Sequence, residues 1–315
     1  ILMTPAALNV EDFAQGKVRI FETKIQPGSQ LANIPLKDLR LPQDVLAGLI
    51  FRNNRMIIPH GDDYLLPNDN TFFVGASGEI EKFSKHFVGT GIKAPERVMI
   101  IGAGRTGRTL AKMLDKQGVQ VKVIEKDAER SRMVAERIEE GIVVRGDGTD
   151  IDLLTQEGVG EADVVICLTA DDKLNLMLAL LAKHLGAART IVRVARIEYV
   201  DLMEKVGVDI VLSSRLLAAG EILAFARRGG VVSVALLEGA KAEAMEVIVQ
   251  KGSYVENKKL MDLQLPKECL ICAFVRDDEA FVPTGQSSLQ AGDRAILFIR
   301  MEFANKVMKY FAGKA

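Results

Sequence analysis

A glycine-rich loop in the middle of the chain is the sequence feature best suited to chemistry. Gly102, Gly104 and Gly107 have the spacing G-x-G-x-x-G, directly after the apolar run 98–101 and at the start of a helical pattern. In that context the first glycine allows a tight turn, the second lets the backbone approach a pyrophosphate, and the third lets the helix pack closely on the sheet. The first amides of the helix then face the phosphates. The loop predicts a dinucleotide site, and the alternative is a loop that only shapes the turn.

An acidic residue follows at the distance that a ribose contact requires. Glu125 comes after Gly107 at the end of the next apolar run. Dinucleotide sites place their acidic residue about 20 residues beyond the glycine motif, and Glu125 fits that spacing. A carboxylate at the end of the second strand can accept hydrogen bonds from both ribose hydroxyls, and it repels a 2′-phosphate. The site is therefore predicted to reject NADP, and the neighbouring Lys126 weakens that repulsion only slightly.

Polar residues also lie at the next predicted strand ends. Asp147 ends the third strand, the segment 169–172 ends the fourth, and Arg193 lies in the fifth. Because ligands of open parallel sheets bind beyond the carboxyl ends of the strands, these residues extend the predicted pocket. Arg193 could reach a phosphate or pair with a neighbouring acid, and spacing alone leaves both interpretations open.

The residues that catalysis would need are not paired in the sequence. A dehydrogenase needs an acid or base in a substrate domain that follows the cofactor domain. His60, His86 and His184 are far apart, and His184 is most simply a solvated residue at the end of a helix. The sequence has no P-loop, G-x-S-x-G, H-E-x-x-H or EF-hand motif. It therefore favours a binding protein over an enzyme.

The spacing Cys269-x-x-Cys272 suggests a redox or zinc site, but the predicted geometry opposes both. These cysteines fall inside a strand, where three residues span about 10 Å and the two side chains point to opposite faces. A disulfide needs Cα atoms within about 7 Å, and a zinc site needs further ligands. We expect core cysteines.

The elements that position the glycine loop alternate between strand and helix. Six short apolar runs are separated by helical patterns between residues 98 and 212. Fully apolar strands with crossover helices indicate a parallel sheet that is covered on both faces, and six of them suit one doubly wound dinucleotide domain. The predicted fold class is α/β, with a Rossmann-like sheet.

The segments on either side of this domain are copies of each other. Gly28 and Gly252, Pro42 and Pro266, and Pro59 and Pro283 all show the same offset in residue number. That offset also relates Glu22/Glu246, Gln26/Gln250, Ser29/Ser253, Leu36/Leu260, Asp38/Asp262, Leu39/Leu263, Leu41/Leu265, Leu46/Leu270, Arg52/Arg276, Gly61/Gly285, Leu65/Leu289 and Asp69/Asp293. In the first copy we predict strands at 18–25, 45–51 and 71–74 and a closing helix that ends near Phe87, with the equivalent helix ending near Phe311. A small α+β module of about 80 residues occurs twice.

The composition limits the function classes further. The chain has 315 residues, which suits two or three domains, and its net charge of −1 shows no basic excess for nucleic acid. Only three cysteines are present, which favours a reducing compartment, and the chain is predicted to be soluble. The non-methionine start, Ile1-Leu2-Met3, leads us to expect that an upstream domain has been removed.

These motifs together resemble the TrkA family, the cytosolic nucleotide-binding subunits of Trk/Ktr potassium uptake systems, which contain RCK (KTN) domains. The resemblance covers essentially the whole chain and rests on the order module, G-x-G-x-x-G domain, module. Its supporting motifs are Phe13-Ala-Gln-Gly-Lys17-Val18, Gly146-Asp-Gly-Thr149, Leu168-Thr-Ala-Asp-Asp-x-x-Asn175, Tyr199-Val-Asp-Leu-Met203, Pro283-x-Gly285 and Ala291-Gly-Asp293.

The resemblance implies three units and a set of nucleotide contacts. The units are a first RCK C-terminal (TrkA-C) module at 1–93, an RCK N-terminal (TrkA-N) Rossmann domain at 94–228, and a second C-terminal module at 229–315. The implied cofactor-binding residues are Gly102, Ala103, Gly104, Arg105, Thr106, Gly107, Glu125, Lys126, Asp147, Gly148, Thr149, Thr169, Ala170 and Arg193. Lys173 departs from the family, where many relatives carry an acid at this position.

The resemblance also implies ligand-gated regulation. NAD(H), or ATP/ADP, would bind the Rossmann domain and change potassium flux through a membrane K⁺-translocating subunit of the TrkH/KtrB type. The protein would assemble with itself as a dimer or tetramer ring, at the cytoplasmic face of the membrane. Two alternatives remain: an NAD-dependent oxidoreductase with accessory domains, and a structural assembly module with a dead site.

Overall fold

The computed structural model describes residues 7–42, 44–53, 55–88, 95–227 and 230–313. Two compact units are present, one formed by residues 94–215 and one formed by the segments on either side of it. The strands are β1 (Asn9–Phe13), β2 (Val18–Lys24), β3 (Val45–Arg52), β4 (Arg55–Ile57), β5 (Asn70–Ala76), β6 (Arg97–Ile101), β7 (Gln120–Glu125), β8 (Ile142–Arg145), β9 (Val164–Cys167), β10 (Thr190–Val194), β11 (Ile210–Ser213), β12 (Val231–Leu237), β13 (Ala242–Ile248), β14 (Cys269–Arg276), β15 (Glu279–Phe281) and β16 (Arg294–Arg300). The α-helices are α1 (Ser77–Phe83), α2 (Arg105–Asp115), α3 (Ala128–Ala135), α4 (Ile151–Gln156), α5 (Asp172–His184), α6 (Val200–Lys205), α7 (Ser214–Ala226) and α8 (Ala304–Phe311).

The unit at 94–215 is built on a six-stranded parallel sheet. Its strand order is β11-β10-β9-β6-β7-β8, so the chain runs outward from β6 in one direction and then returns to build the other half. The strand order reverses between β6 and β9, which is where doubly wound folds bind ligands. The predicted Rossmann-like sheet is confirmed, with strands where the apolar runs placed them.

One helix of this unit is shorter than its sequence pattern predicts. The apolar and charged pattern suggests a helix to Glu139, but α3 ends at Ala135. The cause is Asp115, at the end of α2, whose carboxylate accepts the backbone amides of Glu139, Glu140 and Gly141 at 2.6, 3.1 and 2.8 Å. Amides that bind a distant carboxylate cannot continue the helix ladder, so the chain turns early into β8.

The two flanking modules have the same topology. Their five-stranded antiparallel sheets have the orders β1-β2-β5-β3-β4 and β12-β13-β16-β14-β15. The strands predicted in the first module and both closing helices are confirmed, with α1 followed by a π-helical turn at Ser84–Val88. Two edge strands, β1 and β4, were not predicted, because β1 is mostly polar and β4 has only three residues. The segment Lys93-Ala94-Pro95 is predicted from sequence to be a linker, and its residues Lys93 and Ala94 lie outside the described residues.

The inner faces of the two modules share one hydrophobic core. Equivalent positions of the two copies meet in it from both sides: Val18 and Ala242, Ile20 and Ala244, Leu49 and Ala273, Phe51 and Val275, Phe72 and Ile296, Val74 and Phe298. Phe72 and Phe298 contact each other edge-on at 6.2 Å between ring centroids. The outer face of each sheet packs instead on its own closing helix, α1 or α8. Burial of the inner faces therefore requires both copies.

The repeat also preserves a buried ion pair in each module. Arg52 binds the carboxylate of Asp69 with two parallel hydrogen bonds at 2.9 and 2.8 Å, and Arg276 binds Asp293 at 2.9 and 2.6 Å. Both aspartates are almost fully buried, and each also accepts a backbone amide from its own turn. These pairs fix the turn before the last strand of each module, so the spacing that the copies share at these residues is structural.

The cysteines are core residues, as predicted. Cys269 and Cys272 lie in β14 on opposite faces, with Cys272 in the core shared by the modules and Cys269 against the outer cluster around α8. Burial raises the pKa of Cys269 to about 12, and burial also shifts the pKa of Cys272 upward. All three cysteines, including Cys167 in β9, are free thiols.

Candidate functional site

The glycine loop joins β6 to α2 with the geometry that the spacing predicts. Gly102 has a φ of +103°, and a Cβ there would lie 3.0 Å from the Leu168 carbonyl carbon. A Cβ on Gly107 would lie 2.0 Å from the Gly102 carbonyl oxygen, so only glycine lets the helix start this close to the strand. At Gly104 a Cβ would contact nothing within 4 Å. The second glycine thus borders open space at the mouth of the helix.

The amino terminus of α2 lacks a side-chain cap. Its N-cap residue is Gly104, whereas α3, α4 and α5 are capped by Asp127, Asp150 and Asp171. The first amides of α2 therefore keep free donor capacity, and the helix dipole adds positive potential there. Arg105 and Thr106 are exposed beside this terminus, and Ala103 is buried beneath the loop. This arrangement suits an anionic group.

Glu125 ends β7 and is buried beneath the glycine loop, 6% exposed. One carboxylate oxygen accepts the Ala103 backbone amide at 2.7 Å, and the other accepts the Asp127 amide at 2.9 Å. Each oxygen keeps one lone pair for a further donor. Glu125 thus fixes the loop and can still accept ribose hydroxyls, a double role that spacing alone did not reveal.

Asp147 follows β8 at the same edge. Its Oδ1 accepts both the backbone amide and the hydroxyl of Thr149 at 2.9 Å. These hydrogen bonds, helped by the charge of Lys126, lower the pKa of Asp147 below its ordinary value. Gly148 packs closely on the sheet, because a Cβ there would lie 2.5 Å from Ile101. Asp147 and Lys126 are not buried, so both can contact a ligand.

Thr169 and Ala170 follow β9 on the other side of the glycine loop. Thr169 is half-buried and its hydroxyl donates to Asn175 Oδ1 at 2.7 Å, while Ala170 is exposed. The closeness of Gly102 to the Leu168–Thr169 backbone places these residues against the first turn of the loop.

Arg193 lies in β10 and has a buried donor without a partner among the described residues. Its Nε atom is inaccessible to solvent and makes no hydrogen bond. A buried donor left unpaired costs about 1 to 3 kcal/mol, so a bound acceptor would stabilise this arrangement. Of the two interpretations left open by the sequence, pairing with a neighbouring acid is not seen in the described residues, and the phosphate contact gains support.

The predicted residues are connected in a chain of contacts along the carboxyl edge of the sheet. The Gly146 amide donates to the Glu125 carbonyl at 3.0 Å, and Glu125 binds Ala103 in the loop. On the other side, Asn175 donates to the carbonyls of Thr169 and Arg193 at 3.1 and 3.0 Å. Sequence reasoning gave Asn175 no role and counted Asp172 only as part of the pocket segment 169–172. Their place in the motif after Thr169 was the only signal that could have singled them out.

Metal-ligating side chains are not assembled in the described part of the chain. No cluster of three or more His, Cys, Asp or Glu residues there could hold a metal ion. His60 and His184 lie in different units. Over the same described ranges, no helix combines the length and apolarity that crossing a bilayer requires.

Family models match the architecture segment by segment. The TrkA-N domain model matches residues 98–214, and the TrkA-C domain model matches residues 20–88 and 244–312. The fold is thus a Rossmann-type TrkA-N domain between two TrkA-C domains. The chain belongs to the TrkA family of Trk system potassium uptake proteins.

Relatives of similar sequence come from archaea and bacteria. The chain is 37% identical over 312 residues to the Trk system potassium uptake protein TrkA homolog 1 of Methanosarcina mazei, with 99% of this chain and 69% of that protein covered. It is 33% identical to TrkA of Vibrio alginolyticus, with 95% and 66% covered. Among solved structures, a GsuK channel bound to NAD matches with a TM-score of 0.53 and 21% identity over 98% of this chain and 56% of that chain. The chain therefore spans about two thirds of the curated relatives.

Proposed function

We propose that this protein is the nucleotide-sensing regulatory subunit of a potassium uptake system. The observation that carries the proposal is the edge formed by the uncapped start of α2, the open space at Gly104 and the unpaired Nε of Arg193. Relatives with 37% identity are named potassium uptake proteins, and an NAD-bound channel has a similar fold. The bound nucleotide acts as an effector and is not turned over.

NAD(H) would bind with its pyrophosphate at the glycine loop, from Gly102 to Gly107. Glu125 would accept the adenosine ribose hydroxyls with its free lone pairs, and its charge would disfavour a 2′-phosphate. Asp147, with Gly148, Thr149 and Lys126, would lie near the adenine. Thr169, Ala170 and Arg193 would contact the rest of the ligand from the other half of the sheet. ATP or ADP could use the same phosphate and ribose contacts.

Binding would regulate flux through a change in assembly. The partners are a membrane K⁺-translocating subunit and further copies of the protein, in a dimer or tetramer ring at the cytoplasmic face of the membrane. A ligand shifts such an assembly only by its different affinity for the two states, and coupling energies of this kind are about 1 to 3 kcal/mol. In this proposal the first TrkA-C module comprises residues 1–93, the TrkA-N domain residues 94–228 and the second TrkA-C module residues 229–315.

Binding is tested by titrating the purified protein with NADH, NAD⁺, NADPH, ATP and ADP, using calorimetry and thermal unfolding. We expect NADH or NAD⁺ to raise the melting temperature, as a ligand of the folded state must, with NADPH weaker because of Glu125. A shift with ATP or ADP alone would replace NAD(H) by an adenine nucleotide effector. No shift with any nucleotide would contradict the proposal and indicate a structural module.

Regulation is tested by potassium or rubidium uptake into proteoliposomes that contain the membrane subunit with and without this protein. We expect flux to depend on the protein and on the nucleotide that binds it. Turnover of NADH with a carbonyl substrate at a rate above the blank would instead indicate an oxidoreductase.

A further inference from the structure

Asn175 has no exposed surface and uses every hydrogen-bonding position of its carboxamide. Its Oδ1 accepts the Thr169 backbone amide at 2.9 Å and the Thr169 hydroxyl at 2.7 Å. Its Nδ2 donates to the Thr169 carbonyl at 3.1 Å and to the Arg193 carbonyl at 3.0 Å. Because a carboxamide has two donors and two acceptor lone pairs, its capacity is filled by these two residues.

These bonds join the carboxyl ends of two neighbouring strands. Thr169 follows β9 and Arg193 lies in β10, while Asn175 is anchored in the first turns of α5. One turn earlier, the carboxylate of Asp172 accepts the backbone amides of Ala195 and Arg196 at 2.9 and 3.0 Å. The start of α5 therefore holds both strand ends in a fixed relation, through two side chains with separate partners.

The network requires asparagine at this position. Aspartate has the same shape but cannot donate to the two carbonyls, and it would place a second oxygen against them. Leucine would remove the hydrogen bonds that Asn175 makes to the Thr169 amide and carbonyl and to the Arg193 carbonyl, each at a cost, and would leave the Thr169 hydroxyl only its 3.3 Å contacts with the Asp171 backbone. A side chain that only filled space would not need this chemistry.

We propose that Asn175 is a positioning residue of the nucleotide site. It holds the Thr169 backbone and hydroxyl and the Arg193 backbone in the arrangement that receives the ligand, so that these contacts on neighbouring strands act together. The inference rests on the proposed function, because it concerns the same site, but it makes a separate claim: a residue that does not touch the ligand sets its affinity.

The first test is Asn175→Asp, measured by calorimetric titration with NADH and by thermal unfolding. Loss of two hydrogen bonds that fix the contacts should weaken binding about tenfold or more. The matched control is Asp209→Ala, which removes a side chain that binds the Thr190 amide and hydroxyl at the opposite end of β10. We expect the control to lower the melting temperature and to leave the dissociation constant within about twofold.

The second test separates positioning from general stability with a double-mutant cycle. Arg193→Gln removes the guanidinium that Asn175 is proposed to position. If Asn175 acts through Arg193 and Thr169, the effect of Asn175→Asp on affinity should shrink by several-fold in the Arg193→Gln background, because coupled residues are not additive. A purely structural role would give the same loss of affinity in both backgrounds.

The outcomes are distinct. If the unsubstituted protein binds no nucleotide, the proposed function fails. If it binds and Asn175→Asp binds equally well, or if the cycle is additive, the positioning role is wrong and the function stands. Should Asn175→Asp fail to fold, Asn175→Ser leaves room for water in place of the amide and is held to the same two criteria.

Discussion

Glu125 is the residue on which the structure and the proposed chemistry depend most closely. A carboxylate at this strand end is expected to bind ribose, yet here both of its oxygens already accept backbone amides, from Ala103 and Asp127. Its burial keeps those hydrogen bonds strong, since they are made away from water to a charged acceptor. If the ribose binds as proposed, ligand affinity and loop order are linked through this one side chain.

Glu125→Ala should therefore reduce both nucleotide affinity and stability. Removing the carboxylate leaves the buried Ala103 amide without an acceptor, at a cost of about 1 to 3 kcal/mol in the free energy of unfolding. We expect NADH binding to weaken by at least about tenfold, because ribose contacts are lost as well. Titration calorimetry and urea unfolding measure the two effects.

The control for this variant is Glu140→Ala, an exposed carboxylate of the same unit. It should leave both quantities unchanged within about 0.5 kcal/mol. A Glu125→Ala protein with normal affinity would remove Glu125 from the ligand contacts and leave it only the loop-fixing role.

The sequence identified Glu125 as a candidate site residue but not the groups to which it is hydrogen-bonded. The spacing from Gly107 singled out Glu125 because ribose contacts recur at that distance. The amides that it accepts come from the three-dimensional course of the loop, which no spacing encodes. Asn175 was passed over for the same reason: a buried asparagine reveals its purpose only through the groups around it.

The glycine loop and the helix after it form the element that gives the site its shape. The three glycines differ in their surroundings: Gly102 has a positive φ, Gly104 borders open space, and Gly107 lies close to backbone. Substitution by alanine can therefore separate folding from binding within a single turn.

Gly107→Ala should destabilise the protein, while Gly104→Ala should not. A Cβ at Gly107 would lie 2.0 Å from the Gly102 oxygen, so the backbone must move, at a cost on the order of 2 to 4 kcal/mol. A Cβ at Gly104 meets nothing within 4 Å and its backbone φ of −61° suits alanine, so stability should change by less than about 0.5 kcal/mol.

Gly104→Ala, although it should leave stability nearly unchanged, should weaken nucleotide binding. The added methyl group would occupy the open space where we propose that the pyrophosphate binds, and we expect binding to weaken by about tenfold or more. Normal affinity of Gly104→Ala, measured by titration with NADH, would place the ligand elsewhere on the unit.

Asp115 connects α2 to the loop before β8 and gives this unit a pH dependence. Three backbone amides, that of Glu139 foremost, hold the pKa of Asp115 below its ordinary value. A lowered pKa in the folded state means that the stabilisation is complete above the ordinary value of about 4 and is lost as pH falls through and below it. Urea unfolding should show that Asp115→Asn destabilises the protein more at pH 7 than near pH 3, where part of this stabilisation has been lost. Equal effects at both values would contradict this assignment.

Helices and strands could be predicted from the sequence where their own residues show a clear apolar periodicity. The apolar runs of the parallel sheet and the amphipathic closing helices needed no tertiary information. The end of α3 could not be predicted, because it is decided by Asp115 from another helix. The short edge strands β1 and β4 owe their pairing to β2 and β3 rather than to any local preference.

The two modules behave as one folding unit because neither buries its inner face alone. The copies differ where they meet: Gly48 aligns with Cys272, and Val74 aligns with Phe298. A Cβ at Gly48 would lie 2.7 Å from the Phe298 ring, so the small residue of one copy makes room for the large residue of the other.

Gly48→Ala should therefore cost about 1 to 3 kcal/mol of unfolding free energy through overpacking. In a Phe298→Leu background the same change should cost less, with a coupling of about 0.5 to 3 kcal/mol, because the ring is no longer in the way. Urea unfolding of the four proteins measures the cycle. Gly78→Ala in α1, where a Cβ meets nothing, is the matched control and should change stability by less than about 1 kcal/mol. An additive cycle would mean that residue 48 and the Phe298 ring are not in steric contact.

The repeat in the sequence established two copies but not that they pair. A constant offset between equivalent residues is equally compatible with two independent modules. Pairing requires an apolar face on each sheet that is free to meet the other copy. Strands β3 and β14 are apolar on both of their faces, so the sequence pattern could not indicate which face packs on the other module.

The unequal residues of the shared core also determine which partner each module accepts. Two first modules placed together would set Gly48 beside Val74 and leave a void, whereas two second modules would set Cys272 beside Phe298 and overfill the same place. Only a first module with a second module fills the volume evenly. The two copies are thus matched to each other at this point, which disfavours pairing of two first modules or of two second modules.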